Sequence, residues 1–166
     1  MSSLYKTIPN KSYFAAANGY TGFRSDFDLI FNRKELTKLY VIKGGPGTGK
    51  STLMRKVVDY ATKTGIYCEG IFCSSDPNSY DGVILRDGDK SIAIADGTAP
   101  HVIEPKYPGA VEEIINLGVG FNTNNLVECR NEIIKLADKK AQHYQKASCS
   151  NAKILLQDKS EKKPTI

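Results

Sequence analysis

Apolar residues occur along this chain in short blocks, and their spacing changes from block to block. Phe27, Ile30, Phe31 and Leu36 recur at helical intervals behind a capping Ser25 or Asp26, which predicts a helix over 25–38. Leu39, Tyr40, Val41 and Ile42 form a β-rich run. Leu53, Met54, Val57, Val58 and Ala61 return to helical spacing, so a helix is expected from Ser51 to about Lys63, with Gly65 as its stop. Residues 66–73 read as a second strand and 74–81 as a polar loop. A short strand at Val83, Ile84 and Leu85 is followed by a turn at Asp87, Gly88 and Asp89. A further strand, Ile92 to Ala95, ends at Asp96.

Beyond Asp96 the pattern loosens. Residues 97–109 read as a Pro-containing loop and 110–117 as a short helix. Leu126, Ile133, Ala137, Ala141, Tyr144 and Leu155 carry a helical pattern over 124–158, with a break expected near Ser148 to Ser150 and hence an antiparallel helical hairpin. Residues 1–12 read as loose, 13–24 as loop or turn and 159–166 as a frayed tail. The alternation of strand and helix predicts a single three-layer α/β domain spanning 1–166, with a mainly parallel sheet joined by right-handed crossovers.

Composition changes this picture little. The chain has 166 residues, 40% hydrophobic and 25% charged, ordinary for a globular domain. Its apolar runs stop well short of the ~18–20 residues a membrane helix needs, and its start shows no secretory signal pattern. A cytoplasmic protein without a membrane partner is expected. Charge is uneven: 15 basic and 14 acidic residues over 1–130 leave +1, while 8 Lys and 4 acidic residues over 131–166 leave +4. A Lys-rich tail of this kind reads as a solvated helix face, which argues against nucleic acid as a direct partner. No pair of the four cysteines has zinc-knuckle spacing and there are only two histidines, so the cysteines read as free thiols.

The chemistry lies between the first strand and the helix after it. Residues 44–51, Gly-Gly-Pro-Gly-Thr-Gly-Lys-Ser, match G-x-x-x-x-G-K-[ST] at every required position. A triphosphate is held by backbone N–H groups lining a concave loop, and glycines keep side chains out of that wrap. Gly45, Pro46, Gly47, Thr48, Gly49, Lys50, Ser51 and Thr52 are therefore the candidate nucleotide-binding residues. Lys50 is expected to reach the β- and γ-phosphates. Ser51 and the strand-end Asp96 are the candidate Mg²⁺ ligands. Asp76 in the 74–81 loop is a candidate base, with Asp81, Thr98, His101 and Glu104 as further candidates. Arg86 and Arg130 are the arginines considered for the transition state.

Three segments together resemble a bacterial family of uncharacterised P-loop ATPases and ATP-binding proteins: 42–54 around the glycine loop, 73–77 with 80–83, and 96–110. Ala17-Asn18-Gly19 and Gly22-Phe23 fit the same likeness. The first segment is common to many ATPases and kinases; the other two are more distinctive. The resemblance implies a duplicated P-loop architecture of which this chain looks like the N-terminal half, so a second P-loop half or a homodimer is an expected partner. It implies ATP and Mg²⁺ as ligands but names no substrate. The leading expectation is an ATP hydrolase. A small-molecule or nucleotide kinase, and a nucleotide-gated binding module with negligible turnover, are the alternatives. The guanine-specifying Asn/Thr-Lys-x-Asp motif is absent, which favours ATP.

Overall fold

A computed structural model describes residues 8–19 and 22–161. Among these described residues, eight strands and four α-helices follow in the order β1 Lys11–Phe14, β2 Ala16–Gly19, β3 Gly22–Ser25, α1 Phe27–Ile30, β4 Lys38–Lys43, α2 Lys50–Thr64, β5 Tyr67–Phe72, β6 Tyr80–Asp87, β7 Lys90–Asp96, β8 Glu112–Asn116, α3 Thr123–Glu128 and α4 Arg130–Glu161. The chain divides into two compact units. One comprises the described residues of 1–16 and 25–120, and the other those of 17–24 and 121–166.

The first unit is an α/β body around a six-stranded sheet of order β1-β5-β6-β7-β4-β8. β6 alone runs against the other five strands, so the sheet is mixed but mostly parallel. The expected run of crossovers is thus corrected at β5-β6-β7, an antiparallel meander. Its β6–β7 link is the turn at Gly88, far too short for a parallel return. Leu39 and Val41 of β4, with Ile71, Ile84, Ala93 and Ala95, face one side, where Phe27, Phe31, Leu36 and Ile103 cover them. Ile42, Cys68 and Val83 face the other side, where Met54, Val58 and Ala61 of α2 close the core. The period of two in the strands and the 3.6-residue stripe of α2 deliver these two faces. Gly65, in the left-handed conformation at φ +74°, caps α2 as its position predicted.

Several expected elements differ. The helix over 25–38 is only α1. The Asn32 side chain accepts the N–H of Lys34 while its carbonyl accepts those of Glu35 and Leu36, and these local bonds take over from the helical ladder. Residues 112–116 form β8 beside β4 rather than a helix; long-range pairing overrides a weak local preference. Residues 11–14 pair with β5 instead of lying loose, and most of 16–25 is strand. Residues 1–7 and 162–166 lie outside the described residues.

The second unit holds most of the two-stranded β2-β3 sheet together with α3 and α4. Asn122 caps α3 by accepting the N–H of Asn125. The expected hairpin is corrected: α4 runs unbroken from Arg130 to Glu161, and the interruption falls at Cys129. Ser148, Cys149 and Ser150 include neither Gly nor Pro, so nothing there forces a break. Residues 121–144 are exposed throughout. Among the described residues no helix is long and apolar enough to cross a membrane.

Candidate functional site

Five strands end, and β6 begins, at one edge of the sheet. That edge gathers the 44–49 loop after β4, the 73–79 loop after β5, Asp96 at the end of β7, and the residues following β8. Polar loops at the carboxyl ends of parallel strands are where open α/β sheets place ligands.

The 44–49 loop turns directly into α2. Gly47 and Gly49 hold φ of +81° and +88°, which a side chain would strain, although a Cβ at either would meet nothing within 4 Å. Gly44 is a glycine for another reason: a Cβ there would lie 2.7 Å from Thr48 Oγ1. Gly49 caps α2 with no side-chain bond. The first-turn amides therefore point out of the helix at its positive end.

Lys50 Nζ donates to the carbonyls of Gly44 at 2.6 Å and Gly45 at 3.0 Å. It lies 3.6 Å from Asp96 Oδ2. Asp96 Oδ1 accepts the Thr98 N–H at 2.8 Å, and Thr98 Oγ1 donates to the Gly44 carbonyl at 3.0 Å. Thr48 Oγ1 donates to the Gly45 carbonyl. Ser51 Oγ accepts the backbone N–H of Tyr80 at 3.1 Å. Lys50, Ser51, Asp96 and Thr98 are thus brought together, with Gly45 and Thr48 bonded into the same loop. Pro46, Gly47 and Thr52 are exposed.

The other candidates of the first unit separate. Asp76 is exposed, and its carboxylate accepts the N–H of Asn78 in a local turn. Asp81 and His101 are buried against each other, Oδ2 to Nε2 at 3.1 Å. Glu104 pairs with Lys43, whose ammonium also donates to the carbonyls of Gly97 and Ile103. Arg86 belongs to a network with Glu69 and Ser91, away from the loop edge. Arg130 is exposed on α4. Burial pushes the Cys73 thiol up; the neighbouring Asp81 adds to this, while the N–H groups of Ser75 and Asp76 act against it. Burial likewise pushes Cys68 up, to about 11, so neither thiol is primed as a nucleophile.

Sequence reasoning missed two contributors. Lys43 stands immediately before the loop and straps it to 97–104; its position beside the motif was the available signal. The Tyr80 contact is made by a backbone N–H, which no residue type reveals.

Comparison with known proteins adds one match. The family model described as nephrocystin 3, N-terminal, matches residues 24–84. That span contains β4, the glycine loop, α2, β5 and the start of β6, and stops short of Asp96. No curated protein and no solved structure matches the chain.

Proposed function

We propose that this chain is a P-loop domain that binds Mg-ATP at the 44–51 loop and hydrolyses it. The observation that carries the reading is the joining, at one sheet edge, of a helix N-terminus with no side-chain cap, a left-handed glycine loop, and Lys50 beside Asp96 of the neighbouring strand. Helix-end amides and a partly buried ammonium favour a multiply charged phosphate. Phosphate oxygens would take over from the Gly44 and Gly45 carbonyls as acceptors for Lys50.

The donor set also fits Mg²⁺. Ser51 Oγ and the Asp96 carboxylate are hard oxygens, and among the described residues no group of three or more His, Cys, Asp or Glu forms a cation cage. Mg²⁺ characteristically takes one or two protein oxygens and fills its shell with phosphate and water. When bound it would neutralise charge on the phosphates. The chain's own part is to position them: Lys50 and the first-turn amides hold the anion, and Asp96 is the carboxylate placed to orient a water. Asp76, engaged in its own turn, is the weaker candidate for that role. The resemblance to uncharacterised P-loop ATPases supports the same reading. A second P-loop half or a second copy remains the proposed partner, and β8 offers it a strand paired on one side only among the described residues.

The test is phosphate release from Mg-ATP by the purified chain, with Lys50→Ala as control and a parallel run containing pooled nucleosides and small metabolites. Release abolished by Lys50→Ala is expected. ADP formed only when an acceptor is present would replace hydrolysis with kinase activity. Tight binding with neither activity would make the chain a nucleotide-gated module. No binding would overturn the proposal.

A further inference from the structure

We propose that His101 and Asp81 are a positioning pair that holds the Tyr80 N–H behind Ser51, and thereby aims the Ser51 hydroxyl at a hard divalent cation. The inference rests on the Mg-nucleotide reading and adds the residues that orient one of its ligands.

A serine hydroxyl is a free rotor with two lone pairs and one proton. At Ser51 one lone pair is already taken by the Tyr80 N–H at 3.1 Å. The other lone pair and the proton are then confined to the two remaining directions before any cation arrives, which is how outer groups commonly tune a metal ligand. The Tyr80 N–H must itself be held, and the sheet ladder alone does not do so. Ile71 pairs with Gly82 but Phe72 pairs with Tyr80, leaving Asp81 as an extra residue in a bulge. Bulges loosen the ladder and re-aim side chains, often beside a functional site.

Two contacts compensate. The Tyr80 ring stacks on Phe72 at 4.9 Å. The Asp81 carboxylate meets His101 Nε2 at 3.1 Å, with the two side chains 9% and 6% exposed. The approach is out of line for a hydrogen bond, and it is an ion pair only when the ring is protonated. The His101 ring is stacked against Phe27 at 4.5 Å, so the pair is anchored in the core. The His101 N–H donates to the Thr98 carbonyl, and the Thr98 hydroxyl donates to Gly44. The pair therefore ties together two segments that each touch the phosphate loop, one at Ser51 and one at Gly44.

The experiment has two arms. In the first, amide hydrogen exchange at Tyr80 is followed without nucleotide in the parent chain and in Ser51→Ala, Asp81→Asn and His101→Gln. Faster Tyr80 exchange is expected in all three. Unchanged exchange in Ser51→Ala, a surface-accessible change that leaves the core intact, overturns the proposal even if the buried variants fail to fold. In the second, a fluorescent ATP analogue is titrated with and without Mg²⁺. His101→Gln is expected to raise the Mg²⁺ half-saturation about tenfold or more, with metal-free binding within about twofold of the parent. Equal weakening with and without Mg²⁺ would mean a merely structural role and overturn it. Failure of the parent itself to bind the analogue would instead remove the Mg-nucleotide reading, and this inference with it.

Discussion

Arg33 and Glu112 meet at 2.9 Å with side chains 5% and 0% exposed, whereas Lys50 and Asp96 stand 3.6 Å apart with side chains 13% and 14% exposed. The carboxylate of Glu112 also accepts the N–H groups of Lys106 and Tyr107. Arg33 further bonds Asp28 and the Phe31 carbonyl. Burial works against the charge on Glu112, yet those amides and the guanidinium outweigh it and hold the carboxyl below its ordinary range. Lys50 instead donates to two backbone carbonyls, those of Gly44 and Gly45. One pair is closed by the chain and cements the fold. The other is partly open and keeps its charge available. An ion pair in a structure is therefore informative mainly through what else its members hold.

The largest effect that would break this contrast concerns the closed pair. Glu112→Ala removes the buried carboxylate partner of Arg33, leaving it the exposed Asp28 and the Phe31 carbonyl, and is expected to cost about 3–5 kcal/mol in urea unfolding. Lys50→Ala should stay within about 1 kcal/mol of the parent. Equal costs would erase the distinction. Next comes Gly97→Ala, whose Cβ would fall 2.4 Å from Val41 Cγ1. It is expected to cost about 1–3 kcal/mol and to move Asp96 away from Lys50; a variant with parental stability and nucleotide affinity would show that the close approach is slack.

On the open pair, Lys50→Ala should weaken ATP binding at least tenfold, about 1.4 kcal/mol, by calorimetric titration. Asp96→Asn should remove its Mg²⁺ dependence. The smallest effect is with pH. Glu112 has a folded pKa below its ordinary 4.5, so its contribution is complete above that value and is lost as pH falls through the lower folded one. Stability should thus decline below about pH 4.5, and Glu112→Gln should show a shallower decline. An identical slope would assign acid sensitivity elsewhere.

How much of this was legible follows the range of the interactions. The glycine loop, α2 and its Gly65 stop, and the β6–β7 turn are written in neighbouring residues, and the structure has them where the pattern predicts. Asp96 was readable because a strand pattern ends there. Asp76 sits among turn formers, and its carboxylate indeed makes a turn. The misread elements depend on partners distant in the chain. Glu112 looks like a helix-surface glutamate until Arg33 is beside it, and β8 looks helical until β4 is. The Ser51 contact needed a backbone group supplied by a loop whose path no pattern discloses.

The strand pairings also imply an order of assembly. β5, β6 and β7 follow one another closely, whereas the remaining pairings join Lys11 with Glu69, Lys38 with Ile92 and Leu39 with Glu112. Loop-closure entropy delays distant contacts, so the meander is expected to gain exchange protection first and β4 later in pulse-labelled refolding. Since β4 leads into the glycine loop, a chain emerging from synthesis would complete that loop only after Glu112 had been made and docked. A formed glycine loop would then report that the body of the fold is complete.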